Sequence, residues 1–149
     1  MHEDTEVTLR LIEQFYLQVR QSEDQRAAIT GVIVLIASAI QGALTQTGFQ
    51  KNALTLTVTL IILGLFGMLA SEKLNERRVY YQRRIAYLFQ KLEELVPKVE
   101  LQKLKEKADR EHVMKYYKIF TILSRNIIWQ SLFLLITFLG IVFTLIILI

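Results

Sequence analysis

The sequence contains no cysteine, one proline and two histidines, and these shortages exclude several classes of function. Without cysteine the chain can form no disulfide, thiol nucleophile or thiolate metal site. His2 and His112 have no other histidine or acidic residue at a metal-ligand spacing, so we expect no bound metal and no cofactor. The remaining side chains offer no cluster of nucleophile, base and metal, and the sequence therefore predicts a protein that is not an enzyme.

Charge is missing from three long segments, residues 27–50, 52–71 and 126–149. As helices that rise about 1.5 Å per residue, all three are long enough to cross a hydrocarbon layer of about 30 Å. A hydrophobic content of 52% and a mean hydropathy of +0.33 also favour a membrane protein over a soluble bundle. The sequence predicts an all-α integral membrane protein with transmembrane helices at about 26–46, 52–70 and 126–149.

The absence of Asp, Glu, Lys, Arg and His from these segments bears on function. Ion-coupled transporters, proton pumps and intramembrane proteases need such groups to move charge or activate water within hydrocarbon. These three classes are therefore disfavoured.

Most of the 18 Lys and Arg residues lie between Glu72 and Arg125, and only Lys51 lies between the first two apolar segments. Because Lys and Arg favour cytoplasmic loops, the N-terminus and the long polar segment are predicted to be cytoplasmic. The turn around Lys51 and the C-terminus are then outside the cell.

Four regions follow from this pattern. The pattern of residues 1–21 predicts an amphipathic cytoplasmic helix whose apolar face is formed by Leu9, Ile12, Tyr16 and Val19. We expect this helix to lie either along the cytoplasmic membrane surface or against the polar hairpin that follows the second crossing. Ser22 begins a capping-box pattern that ends at Gln25, so a new helix is expected there, within a transmembrane hairpin of residues 22–70. Residues 126–149 form the third crossing.

Residues 71–125 are predicted to form a cytoplasmic helical hairpin. The second crossing has no helix breaker at its inner end, so its helix should continue into the polar segment. The only proline, Pro97, lies near the middle of this segment, and the chain must return to the membrane by Ile127. We expect two antiparallel arms that meet near Pro97.

The first arm of this hairpin carries apolar residues at alternating steps of three and four, which is the pattern of a coiled-coil seam, with Arg78 as its one interruption. The seam residues are Leu74, Tyr81, Ile85, Leu88, Leu92, Leu95 and Val99. The returning arm offers apolar residues less regularly, at Leu101, Leu104, Ala108, Val113, Tyr117 and Phe120. We expect the two arms to pack on each other along this seam.

Small and uncharged polar residues within the crossings predict close helix packing, either within one chain or between subunits. The residues concerned are Gly31, Ser38, Gly42, Gly64, Gly67, Thr137, Gly140 and Thr144. Three helices cannot use all these faces internally, so part of the set is expected to form a homo-oligomer. Gln41, Thr55 and Thr59 could line a water-filled path in such an oligomer, although threonine can also bond its own helix.

A second heptad-spaced row on the first arm combines basic and tyrosine side chains: Lys73, Arg77, Tyr80, Arg84, Tyr87 and Lys91. One interpretation is a solvated face near anionic headgroups, balanced by acids elsewhere. Another is that copies of the row converge in an oligomer and bind an anionic ligand, such as a nucleotide, a lipid headgroup or an acidic peptide of a cytoplasmic protein partner. Arginine holds phosphate or carboxylate, and tyrosine rings stack. Nucleic acid is disfavoured because the row is short and faces the membrane.

The segment from Asn75 to Phe89, which reads NERRVYYQRRIAYLF, is followed by KLEEL at residues 91–95. This stretch resembles small bacterial three-crossing membrane proteins of the RipA type. That resemblance implies a high-order homo-oligomer in the inner membrane without enzymatic chemistry. A looser similarity is to two-crossing effector domains of bacterial defence systems, from which the third crossing departs.

These observations lead to two hypotheses of different classes. The first is a non-enzymatic homo-oligomer that acts as a membrane scaffold or partner-binding platform through its cytoplasmic hairpin. The second is an oligomeric ion-conducting pore or membrane-depolarising effector, gated by an anionic ligand at the basic and tyrosine row.

Overall fold

A computed structural model describes residues 2–97, 100–115 and 125–149, and these residues are helical without any strand. The helices are α1 (His2–Thr47), a short 3-10 helix (Lys51–Ala53), α2 (Leu54–Leu95), α3 (Leu101–Lys115) and α4 (Arg125–Leu148). The all-α prediction is confirmed for this part of the chain. Among the described residues, three helical segments are long and apolar enough to cross a membrane, within Glu3–Thr47, Lys51–Leu95 and Asn126–Leu148.

The helix start predicted at Ser22 is wrong, because α1 runs through this position without a break. The Ser22 hydroxyl donates to the carbonyl oxygen of Gln18 at 2.8 Å instead of capping the amide of Gln25. Serine within a helix commonly bonds the carbonyl four residues earlier, so the sequence pattern of a capping box did not require an N-terminus here.

As predicted, α2 continues from the second apolar segment into the polar segment. It ends at Leu95, two residues before Pro97, where the proline ring would clash with a continuing helix. The next helix, α3, begins at Leu101 after Glu100, whose φ of 46° lies in the left-handed region. At the other end of the apolar segments, Gly48 has a φ of 71° directly after α1, a conformation that favours glycine at a helix C-terminus.

The chain divides into two compact units. The first, called the polar unit, comprises Met1–Glu23 and Asn75–Ser124. The second, called the apolar unit, comprises Asp24–Leu74 and Arg125–Ile149.

The polar unit contains a small apolar cluster built from the N-terminal part of α1 and the C-terminal part of α2. Ile12, Ile85 and Leu92 are buried in it, and the side chains packed against them are Phe15, Val19, Leu88 and Phe89. Among the described residues, the predicted seam of α2 is therefore covered by α1, while Leu104 of the returning arm is exposed. Ala108 of that arm is exposed as well. The predicted positions Val99, Tyr117 and Phe120 lie outside the described residues, as do the side chains of His2, Leu101, His112 and Val113.

The buried face of α1 in this unit includes Ile12 and Val19 of the predicted apolar face but is rotated away from the other two predicted residues. Thr8, Ile12 and Ser22 are buried, whereas Leu9 and Tyr16 are exposed. Polar residues can occupy this buried face because the hydroxyls of Thr8 and Ser22 donate to carbonyl oxygens of their own helix. A prediction based on hydrophobicity alone therefore selected a neighbouring face.

The apolar unit is formed by the C-terminal part of α1, the N-terminal part of α2 and α4. Its core contains side chains from all three helices: Ile33, Ala37, Ile40, Leu44, Ala53, Leu60, Phe133, Ile136 and Ile147. Its exterior is also apolar, with Leu35 72% and Leu69 73% exposed. Helices that are apolar on inner and outer faces are typical of membrane spans and rare on soluble proteins.

Candidate functional site

The six residues of the basic and tyrosine row differ in exposure. Arg77 is half-buried, whereas Lys73, Arg84 and Lys91 are exposed and Tyr87 is 71% exposed. Tyr80 is exposed too. The row is therefore not a uniform binding surface. Its central residues, Arg77, Tyr80 and Arg84, make ring and guanidinium contacts within the polar unit.

That central part belongs to an aromatic–arginine cluster in the polar unit, formed by Phe15, Arg77, Tyr80, Tyr81 and Arg84. The ring centroid of Tyr81 lies 5.7 Å from that of Phe15 and 5.3 Å from that of Tyr80. The Cζ atom of Arg84 lies 4.5 Å from the Tyr80 centroid and 5.4 Å from the Phe15 centroid. The Cζ atom of Arg77 lies 5.9 Å from the Tyr81 centroid. These distances fall within the range of cation–π attraction.

Residues of α1 complete this cluster, and the sequence analysis did not include them. Arg77 donates to the side-chain oxygen of Gln18 at 2.8 Å, and Phe15 contacts both Tyr81 and Arg84. The spacing of Phe15, Val19 and Ser22 by four and three residues matches the α2 seam and could have indicated this partner.

Arg78, the interruption of the predicted seam, is held by polar partners within the polar unit. Its side chain is 15% exposed and lies 3.7 Å from the carboxylate of Glu23. It also donates to Asn75 at 3.0 Å, while its Nε atom is buried without a hydrogen-bond partner among the described residues. The basic residue is tolerated in the seam because α1 provides an acid at the same position along the pair of helices.

A second polar cluster lies at one end of the apolar unit and is centred on Arg26, which is 6% exposed. The Nε atom of Arg26 donates to the hydroxyl of Ser71 at 2.7 Å, and its guanidinium also donates to the side-chain oxygen of Asn126. The Cζ atom lies 5.6 Å from the ring centroid of Trp129. One guanidinium thus contacts α2 and α4 from a position on α1.

The cluster continues from α4 to an acid on α2. Asn126 donates to the carboxylate of Glu72 at 2.9 Å, and Gln130 donates to the same carboxylate at 3.2 Å. Gln130 also donates to the carbonyl oxygen of Met68 at 3.2 Å. Asn126 therefore accepts from a cation and donates to an anion, which links Arg26 and Glu72 through one amide. We call Arg26, Ser71, Glu72, Asn126 and Gln130 the polar clamp.

In the sequence, Arg26 and Glu72 mark the limits of uncharged segments. The sequence also indicates that these residues meet. When three successive helices alternate in direction, the start of the first, the end of the second and the start of the third lie at the same end. Polar residues at those three positions predict a shared network. The groups present can hydrogen-bond one another and so stabilise the three-helix packing.

The small residues of the crossings fall into two sets. Gly64, Gly67 and Gly140 lie where α2 and α4 approach closely. A Cβ atom on Gly64 would lie 2.8 Å from the backbone nitrogen of Thr137, and one on Gly140 would lie 2.9 Å from that of Ile61. A hydrogen bond of 2.9 Å between the hydroxyls of Thr144 and Thr57 joins the same two helices. Gly64, Gly67, Thr137, Gly140 and Thr144 therefore pack within one chain.

The other set lies on α1 and is open. Nothing lies within 4 Å of a Cβ atom built on Gly31 or Gly42. Ser38 is exposed on α1, and its hydroxyl donates to the carbonyl oxygen of Val34 at 2.8 Å. At 100° per residue these three positions share the α1 face opposite the buried residues.

The three residues suggested as pore lining lie in the apolar unit in different settings. Thr59 donates to the carbonyl oxygen of Thr55 at 2.8 Å, which satisfies its hydroxyl within its own helix. Gln41 is half-buried, and its amide has no hydrogen-bond partner among the described residues. Thr55 is exposed, and its hydroxyl likewise has no hydrogen-bond partner among the described residues.

No known protein family, curated protein or solved structure matches the chain. The resemblance to RipA-type proteins therefore stays a prediction.

Proposed function

We propose that the chain is a non-enzymatic integral membrane protein that assembles into a homo-oligomer and acts as a scaffold or partner-binding platform. In this proposal the apolar unit spans a bacterial inner membrane by three helices. The N-terminus and the segment from α2 to α3 are cytoplasmic, and the C-terminus is outside. Its 24-residue helix α4 would be about 36 Å long, which is sufficient for a hydrocarbon layer of about 30 Å.

The observation that carries the oligomer is the open face of α1. Gly64 and Gly140 are occupied by helix contacts within the chain, whereas Gly31 and Gly42 face open space. Small residues permit close approach of helix backbones, which is the main source of helix association in lipid. A second subunit can use this face without displacing any contact within the chain.

Gln41 supports the same assignment. It lies within the first apolar segment, and its amide is unpaired among the described residues. An unpaired amide is costly in hydrocarbon and inexpensive beside a second polar group or water. On α1, Gln41 lies about 100° around the helix from Gly42, at the edge of the open face, where its long side chain can reach a neighbouring subunit.

The oligomer can be tested by sedimentation of the purified chain in mild detergent. Gly31→Leu combined with Gly42→Leu should shift the protein to the monomer, because leucine prevents close backbone approach. Val32→Phe, which adds bulk to an exposed position on another part of α1, is the matched control and should remain oligomeric. A double variant that sediments like the wild type would refute the interface.

An ion-conducting pore is the second candidate, and the unpaired amide of Gln41 is the observation that favours it. If the amides of several subunits face a water-filled path, reconstituted vesicles should conduct ions, and Gln41→Leu should reduce the flux while the oligomer persists. If the amides bond each other across a scaffold interface, Gln41→Leu should weaken the oligomer, and wild-type vesicles should stay impermeable.

A further inference from the structure

Arg84 is a cation that the polar unit orients without neutralising. Two aromatic rings, those of Tyr80 and Phe15, lie within 6 Å of its Cζ atom. Among the described residues, which include every Asp and Glu of the chain, no carboxylate oxygen lies within 4 Å of its guanidinium. Aromatic contacts hold the plane of a guanidinium and leave its N–H groups available for an anion.

The guanidinium lines a groove of about 500 Å³, a volume within the range of small-molecule sites. The lining residues are Gln14, Phe15, Leu17, Gln18, Tyr81 and Arg84. Apolar and aromatic surface thus adjoins a charged group and two amides. Such a combination suits an anion that carries an organic group more closely than it suits a bare ion.

The polar groups of the groove offer mainly hydrogen-bond donors. The side-chain oxygen of Gln18 already accepts from Arg77, which leaves its NH2 group as the free part of that amide. Gln14 lies one helical turn earlier on α1, and its amide has no partner among the described residues. Donors on three side chains match a phosphate group, which presents three terminal oxygens.

We propose that this groove binds a phosphate monoester. The phosphate contacts the guanidinium of Arg84 and the amides of Gln14 and Gln18, and the organic group lies along Leu17 and Tyr81. The site lies within the polar unit and needs no second subunit, so it stands or fails independently of the oligomer. Two sources share this chemistry: a soluble organic phosphate and the headgroup of phosphatidic acid.

Binding can be measured by calorimetry on the full chain in phosphatidylcholine nanodiscs, with phenyl phosphate as the soluble probe. Arg84→Gln should weaken binding by about tenfold or more, because it removes the charge-assisted hydrogen bonds. Arg84→Lys should retain only part of the affinity, since lysine keeps the charge but loses the planar fork. The neighbouring exposed residue supplies the matched control, and Arg83→Gln should bind like the wild type.

A second arm distinguishes the two sources. Nanodiscs that contain phosphatidic acid should compete with phenyl phosphate if the natural ligand is the lipid, and should leave its affinity unchanged if the ligand is soluble. Equal affinity of wild type and Arg84→Gln would overturn the proposal, as would an equal loss in Arg83→Gln, which would indicate diffuse charge attraction. Absence of phenyl phosphate binding to the wild-type chain would also overturn it.

Discussion

Arg26 is buried among apolar helices, and burial of a guanidinium costs free energy unless its N–H groups are hydrogen-bonded. Ser71 and Asn126 accept from it, and Asn126 carries the interaction on to Glu72. The polar clamp thereby contains one residue or more from each of the three helices of the apolar unit. At the scale of single residues, this arginine contacts both of the other helices at that end of the unit.

We expect Arg26→Met to lower the free energy of unfolding by about 2 kcal/mol or more, because it leaves Ser71 and Asn126 without their partner. Thermal unfolding in detergent, followed by far-ultraviolet circular dichroism, measures the change. Trp129 is the only tryptophan and lies beside Arg26, so its emission should shift in this variant.

The matched control for this prediction is Arg10→Met. Arg10 pairs with Glu6 at 2.7 Å on an exposed helix face, where such a pair contributes less than about 0.5 kcal/mol. Equal unfolding temperatures for Arg26→Met and the control would contradict the importance of the clamp.

Residue types at the ends of the apolar segments could be read from the sequence, but their pairing could not. Arg26 and Asn126 are far apart along the chain, and only the packing of α1 against α4 brings them into contact. The same limit applies to the aromatic–arginine cluster, where Tyr80 and Arg84 were predicted from their spacing and Phe15 was not. Contacts between helices depend on register, which periodicity within one helix does not determine.

At the scale of secondary structure, buried residues of α2 recur at a seven-residue spacing along the helix, but the size of their side chains changes from the apolar unit to the polar unit. In the apolar unit the buried positions at seven-residue spacing are small or hydroxylated: Thr57, Gly64 and Ser71. In the polar unit the equivalent positions are larger, including Ile85 and Leu92. Small residues allow the close approach of α2 and α4 in the first case, and apolar side chains form a buried cluster with α1 in the second.

We expect Gly64→Ala to destabilise the packing of α2 against α4 by about 1–3 kcal/mol, because the added methyl group meets backbone atoms of α4. Val58→Ile adds one methyl group at an exposed position of the same helix and should be neutral. The measurement is thermal unfolding of both variants in detergent. A Gly64→Ala variant as stable as Val58→Ile would show that the close approach is not required.

The positions of the helices were largely predictable because uncharged segments and a single proline are strong signals. The end of α2 before Pro97 follows from the proline ring, and the continuity of α2 follows from the lack of a breaker. The break expected at Ser22 failed because serine, aspartate and glutamate are tolerated inside a helix when neighbouring turns are stabilised by packing. Local capping signals compete with tertiary contacts, and here the contacts of α1 prevail.

At the scale of the whole molecule, the proposed topology places opposite ends of the apolar segments on opposite sides of a membrane. The chain has no cysteine, so a maleimide labels only a cysteine that has been introduced, and its reaction shows on which side of the membrane that residue lies. In intact cells, an impermeant maleimide should label Lys51→Cys and should leave Lys107→Cys unlabelled until the membrane is opened. The reverse pattern would invert the topology, and labelling of both residues in intact cells would contradict a membrane-spanning arrangement.

The central claim is that several copies of this chain assemble into a homo-oligomer. The most direct measurement is the native mass of the wild-type protein released from mild detergent in the mass spectrometer. The proposed homo-oligomer predicts a mass that is an integral multiple of the 17.4 kDa chain and is retained on dilution. A single species of 17.4 kDa at all protein concentrations would contradict it.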